Sequence, residues 1–224
     1  MYHFLQSSLK SLLPKRCPTC HNSLVAEPLV VCATCWAFFC ASIEPKPIHL
    51  NYTNGGFSVL PYNLANVKNL MRAIKFGNRP DLAEAFGRLM AGVIPRPDAD
   101  CLHPLPLRAD RLYLRGYNQA EHIAKGLQQV WNLPLATNIL VRPLTRLNFS
   151  SKPQAMRAES DRFEIYGEYQ VRNAQLANGL RIVLVDDTLT TGSTLNAAAE
   201  VLQKKTRVAK IIPLTLAYAP RLRA

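Results

Sequence analysis

Ile182-Val-Leu-Val-Asp-Asp-Thr-Leu-Thr-Thr-Gly-Ser-Thr194 is the stretch that decides the fold. Ile182 to Val185 is a short run of β-branched and aliphatic residues, as expected of a strand buried on both faces. Asp186 and Asp187 stand at its end. A loop of small hydroxyl residues follows, with Gly192 inside it, and a helix is predicted from Ser193 to Lys204. That order sets backbone N–H groups and the hydroxyls of Thr188, Thr190, Thr191, Ser193 and Thr194 near a helix N-terminus, whose partial positive charge favours a phosphate. Phosphate alone would repel the two carboxylates beside it. They make sense if the ligand also presents adjacent hydroxyls, because carboxylates only accept hydrogen bonds. The stretch describes a cradle for ribose 5-phosphate.

The rest of the chain sets bounds on that site. Its 224 residues, 48% of them hydrophobic, suffice for one good core with an appended module but hardly for two large domains. No apolar run approaches the length of a membrane span, so no membrane insertion is expected. Met1 to Lys10 lacks a basic start, an apolar central stretch and a small-residue cleavage site, which reads as an unprocessed N-terminus and a cytoplasmic protein. Twenty-seven Lys and Arg against fifteen Asp and Glu give a formal charge of +12, suited to polyanionic partners such as nucleic acid or pyrophosphate. Charge alone does not choose between them.

Six cysteines are placed unevenly. Cys17-Pro-Thr-Cys20 and Cys32-Ala-Thr-Cys35 make two Cys-x-x-Cys knuckles, the spacing of a closed, structural Zn²⁺ site with four thiolates. Disulfides are the alternative, and a reducing compartment argues against them. Cys40 could replace Cys35, Cys101 reads as a core thiol, and His21 as a surface neighbour of the knuckle.

The chain divides accordingly into a zinc ribbon over residues 1–44, a linker over 45–56 marked by Pro45, Pro47 and Gly55-Gly56, and an α/β domain over 57–224. Trp36, Phe38 and Phe39 are available to pack the ribbon or dock it. Leu64, Val67, Leu70, Met71 and Ile74 recur at helical spacing beside a basic stripe of Lys68, Arg72, Lys75 and Arg79. Pro80 ends or restarts that helix. Cys101-Leu102 reads as a strand, Tyr117 to Val130 as a helix, and Val208 to Ala217 as a closing strand with Pro213 near an edge or bulge. Strands alternating with helices imply a mostly parallel central sheet with ligand loops at the strands' C-terminal ends.

The opening stretch is similar to the PRPP-binding motif of type I phosphoribosyltransferases. Together with the four-cysteine ribbon, Ile74-Lys75-Phe76, His103-Pro-Leu-Pro-Leu107 and Arg115-Gly-Tyr-Asn-Gln-Ala120, in that order, it makes the chain resemble the ComF/GntX-like family along essentially its whole length. Members are competence-associated proteins with a type I phosphoribosyltransferase fold and an N-terminal zinc ribbon. One stretch departs from the family pattern, where Gln154, Arg157 and Arg162 are followed by Glu164-Ile165.

The resemblance implies a site. Asp186 and Asp187 would hold the ribose hydroxyls and lower the energy of a positively charged ring, and Thr188 and Thr190 to Thr194 would bind the 5′-phosphate. His103, Pro104 and Leu105 would belong to the pyrophosphate loop, and residues 108–118 to a loop closing over the ligand. Lys75 and Arg115 are either pyrophosphate contacts or solvated surface. Asn118 and Gln119 are placed to cap the following helix, Asn118 the better of the two. Mg²⁺ is expected with PRPP, because a hard cation prefers oxygen ligands.

No aromatic hood for a nucleobase stands out; Phe57, Phe76 and Phe149 read as core. Arg142, Arg146, Lys152, Arg157 and Arg162 crowd one region, interleaved with Phe149, Tyr166 and Tyr169, and either track a nucleic-acid strand or form a solvated basic surface. The resemblance, taken with the basic charge, implies PRPP binding and action on internalised single-stranded DNA in natural transformation, with DNA-uptake or recombination proteins as partners. The alternative is a phosphoribosyltransferase of nucleotide salvage.

Overall fold

In the computed structural model, residues 16–22, 25, 29–143 and 169–219 are described. Arg146, Phe149, Lys152, Gln154, Arg157, Arg162, Glu164, Ile165 and Tyr166 lie outside the described residues.

The alternation of apolar runs and helical periodicity resolves into a five-stranded sheet of order β1-β2-β7-β6-β3. Its strands are β1 (Lys46–Ile48), β2 (Gly56–Pro61), β3 (Cys101–Pro104), β6 (Arg181–Leu189) and β7 (Lys210–Tyr218). β1 runs antiparallel to β2, and the other neighbours are parallel. This is the mostly parallel central sheet that the sequence implies, with four cysteines clustered near the N-terminus. The stretch expected as a linker, residues 45–56, contributes β1 and the turn into β2. A separate two-stranded ladder pairs β4 (Leu140–Val141) with β5 (Gln170–Val171).

Both faces of the sheet are covered, so its central strands are mostly apolar, and buried Thr215 and Ser58 pair with each other. Alternate residues of β6 serve different layers. Val183 and Val185 face helices α2 (Ala65–Phe76), α3 (Pro80–Val93) and α5 (Gln119–Trp131), whereas Ile182 and Leu184 face α6 (Ser193–Lys205). Val67, Leu70, Met71 and Ile74 are all buried, the stripe expected from their spacing. Pro80 restarts rather than ends a helix, at the first position of α3 where its missing N–H removes no bond. Gly87 and Gly126 bring α3 and α5 close together: a Cβ on Gly87 would lie 2.2 Å from the Ile123 carbonyl oxygen, and one on Gly126 2.1 Å from that of Glu84.

Pro213 departs from expectation. It sits within β7, between β2 and β6, and not at an edge. Pairing of β2 with β7 begins one residue later, at Phe57 with Leu214, so the missing donor falls before that ladder starts. Gly56 makes room there, since a Cβ would come within 1.8 Å of the Pro213 carbonyl oxygen.

The helix expected from Tyr117 begins two residues later. Gly116 adopts φ 76° and closes the short helix α4 (Ala109–Arg115), and Asn118 then caps α5 by accepting from the Ala120 N–H at 3.1 Å.

The cysteine knuckles dock on the main core. In α1 (Ala33–Ser42), Phe39 is buried and meets Phe86 of α3 edge-on at 4.8 Å, and Trp36 meets the same ring at 5.7 Å. Asn69 Nδ2 donates to the Thr19 carbonyl and Arg79 Nη2 to that of Val30. No helix among the described residues is long and apolar enough to cross a membrane.

Candidate functional site

β3 and β6 are neighbours, and the loops that leave their C-terminal ends flank a cleft of about 890 Å³. Asp186, Asp187 and Thr188 line it from β6, and Thr190 and Thr194 from the loop into α6. Leu105, Pro106 and Leu107 line it after β3. Lys75, Arg108, Arg111, Arg115 and Arg142 make much of the remaining wall cationic.

The hydroxyl loop is shaped as the sequence requires. Gly192 has φ 79°, a left-handed conformation that favours glycine, and it lies beside the end of the Leu50 side chain. Ser193 N–H donates to Thr191 Oγ1 at 3.3 Å, which holds the loop against the N-terminus of α6.

The acidic pair is unequal. Burial, then the charge of Asp187, pushes the Asp186 carboxyl up to about 7, against the Asp187 backbone N–H and the more distant Lys75 and Arg142. Asp187 is neutralised directly, with Lys75 Nζ 2.9 Å from its Oδ1 and 3.1 Å from Thr188 Oγ1. Lys75 thus faces the carboxylates and is not simply solvated surface. Arg115 lines the cleft and holds its guanidinium 5.2 Å from the ring centre of Phe76. Phe76, expected in the core, is 74% exposed, because it falls off the buried stripe at the end of α2.

His103 and Pro104 lie within β3 and are buried. His103 Nε2 accepts the Leu140 N–H at 3.0 Å, so its proton sits on Nδ1, which donates to the Pro104 carbonyl at 2.9 Å. Burial lowers its pKa to about 4, keeping the ring neutral. His103 therefore ties the β4–β5 ladder to the main sheet. The part of the turn that lines the cleft is Leu105 to Leu107, and Asn118 Nδ2 fixes it by donating to the Leu105 carbonyl at 2.9 Å.

Arg108, Arg111, Asn118, Gln119 and Tyr169 also line the cleft; the first three were read from sequence as part of a closing loop, Gln119 as a helix cap and Tyr169 as part of a nucleic-acid surface. The spacing of the arginines was the available signal, since positions 108, 111 and 115 recur on one side of α4. Arg142 was expected on a nucleic-acid surface; it lines the cleft, 5.3 Å above the Tyr169 ring.

The thiols of Cys17, Cys20, Cys32 and Cys35 lie within 4.8 Å of one another. Cys20 and Cys32 sulfurs are 3.8 Å apart, the edge of a tetrahedron with Zn–S bonds of about 2.3 Å and far too long for a disulfide. Burial raises the Cys17 pKa, but the Thr19 hydroxyl and the backbone N–H groups around it outweigh that and lower it to about 6. The donor set fits a divalent metal ion. Cys40 is exposed and outside this group, and Cys101 is a buried thiol raised to about 11 by burial and the nearby Asp100 charge.

Residues 115–224 match the phosphoribosyl transferase domain. The chain is 28% identical over 214 residues to the competence protein ComFC of Bacillus subtilis, covering 94% of this chain and 81% of that one. It is 29% identical over 106 residues to the competence protein F of Haemophilus influenzae, covering 47% of this chain and 44% of the relative. Among solved structures, glutamine PRPP amidotransferase from B. subtilis matches with a TM-score of 0.44 at 18% identity, covering 65% of this chain and 30% of that one. A hypoxanthine phosphoribosyltransferase from Staphylococcus aureus matches with a TM-score of 0.36 at 14% identity, covering 66% of this chain and 67% of that one.

Proposed function

This chain is ComF-like, with a type I phosphoribosyltransferase fold, and from that premise we propose that it binds PRPP with Mg²⁺ in the cleft and acts on internalised single-stranded DNA in natural transformation. The carrying observation is the convergence of Asp186 and Asp187, the loop through Thr190 and Thr194, and five cations on one cleft. Carboxylates suit the ribose 2′,3′-diol, the N-terminus of α6 suits the 5′-phosphate, and Arg108, Arg111 and Arg115 suit the pyrophosphate. Mg²⁺ bound with PRPP would supply neutralisation of the pyrophosphate charge, and Asp186 and Asp187 would help hold it through water and the diol. Zn²⁺ in the four-cysteine site would have a structural role, because all four ligands come from the protein.

The nucleic-acid half draws support from charge and exposed rings. The formal charge is +12, Phe76 is 74% exposed with the Arg115 guanidinium 5.2 Å from its ring centre, and Tyr113 is 89% exposed on α4. Cations beside exposed aromatic rings suit single strands, with phosphates on the cations and bases stacked on the rings. Titration of a labelled oligo-dT is expected to give an affinity that falls steeply with salt, by about 0.7 log units per tenfold salt for each phosphate contacted. Phe76→Ala with Tyr113→Ala should weaken it ~10-fold or more. A deletion strain should take up DNA yet transform poorly. No oligonucleotide affinity at low salt, together with normal transformation, would remove this half of the proposal. The salvage-enzyme alternative instead expects turnover of PRPP with one preferred base, and Tyr169 beneath Arg142 in the cleft wall is the feature that favours it.

A further inference from the structure

Arg115-Gly-Tyr-Asn-Gln119 is the most distinctive pentapeptide of the chain, and four of its residues have visible work. Arg115 lines the cleft over Phe76. Gly116 supplies the left-handed turn that ends α4. Tyr117 is buried and its hydroxyl donates to the Ile74 carbonyl. Asn118 caps α5 with its oxygen and anchors the Leu105 turn with its nitrogen. Gln119 is different. It is only 1% exposed, it lines the cleft, and its Nε2 has no hydrogen-bond partner among the described residues.

A buried amide donor without an acceptor costs free energy, and one that lines a cleft is placed where a ligand can supply the acceptor. Position fixes which part of the ligand that is. Gln119 is the first residue of the thirteen-residue helix α5, at the end that favours negative charge. Its neighbour Asn118 grips the turn after β3, so Gln119 sits on the Leu105 side of the cleft, with Arg108, Arg111 and Arg115 on the same wall. The acceptors for ribose, Asp186 and Asp187, and the hydroxyl loop at α6 belong to the β6 side. The group that meets Gln119 is therefore anionic and rich in acceptors.

We infer that Gln119 donates from Nε2 to the pyrophosphate of PRPP and makes the cleft distinguish PRPP from ribose 5-phosphate. This rests on the PRPP proposal above. Asn118 is a positioning residue, and Gln119 is the specificity residue of the pair.

Calorimetric titration of PRPP and of ribose 5-phosphate, each with Mg²⁺, into the wild type, Gln119→Met and Gln119→Glu tests it. Met keeps length and burial while removing the donor; Glu keeps the shape and sets a carboxylate against the pyrophosphate. The expected result is PRPP affinity ~10-fold lower in the Met variant and lower still in the Glu variant. Ribose 5-phosphate affinity should change little, and the ligand-free Met variant should melt at or above the wild-type temperature because an unsatisfied buried donor is gone. Unchanged PRPP affinity in either folded variant overturns the inference, as does an equal loss for both ligands. A ligand-free Met variant that melts lower while binding PRPP normally assigns Gln119 to the fold alone. Wild-type protein that binds no PRPP removes the underlying proposal first, and that control is read before any variant.

Discussion

Asp186 and Asp187 carry opposite demands. Burial and the neighbouring charge push Asp186 to about 7, so the ligand-free protein holds its proton more tightly than the unfolded chain does. The stability this gives is fully present below pH ~4 and is lost as pH rises through ~7. Asp186→Asn abolishes that loss. Its melting temperature should exceed the wild type's by an amount that grows from pH 5 to pH 8, reaching roughly 3–8 °C. PRPP binding should show the reverse tendency in the wild type, strengthening from pH 6 to pH 8 as the diol acceptor ionises, and the Asn variant should bind weakly throughout. Parallel melting curves for the two proteins across that range would contradict the raised pKa. These aspartates and the hydroxyl loop were legible because all their chemistry lies within thirteen consecutive residues. Gln119 was read as a helix cap and Arg142 as part of a nucleic-acid surface, because only folding brings positions 119, 142 and 186 to one cleft.

Strands and short helices give the site its walls. His103 shows how an element can mislead at the level of sequence, since a histidine in a Pro-rich turn looks like a ligand group but here faces inward to clasp β4. His103→Leu removes the acceptor for the Leu140 N–H and the contact between the two ladders. It should lower the melting temperature by several degrees, given a cost of about 1–3 kcal/mol for an orphaned buried donor. The direct loss should be in fold stability, with PRPP affinity following only as the wall carrying Arg142 and Tyr169 loosens. A variant that melts normally and loses PRPP completely would instead make His103 a ligand contact. The helical stripe of α2 was legible from its 3.6-residue period, as was the Asn118 cap. Pro213 was not. Its acceptance depends on Gly56, a partner that only the fold brings beside it.

At the scale of the molecule, the four-cysteine module and the α/β core form one continuous apolar body through Phe39, Trp36 and Phe86. Elemental analysis should find one zinc per chain, and stripping it with a chelator should lower the single melting transition by on the order of 10 °C. A small separate transition that leaves the main one in place would mean that the module folds independently of the core. The doubly covered parallel sheet was legible because alternating helical and strand patterns admit few other arrangements. The docking of the module was not, since aromatic residues beside a metal knuckle pack inward or outward with equal ease. The central claim is that the cleft between the ends of β3 and β6 takes PRPP. Its most direct test is calorimetric titration of PRPP with Mg²⁺ into the zinc-loaded protein and into Asp186→Asn/Asp187→Asn. Saturable binding of about one PRPP per chain that vanishes in the double variant is the predicted result. No binding to the folded wild type, or equal binding to both proteins, would contradict it.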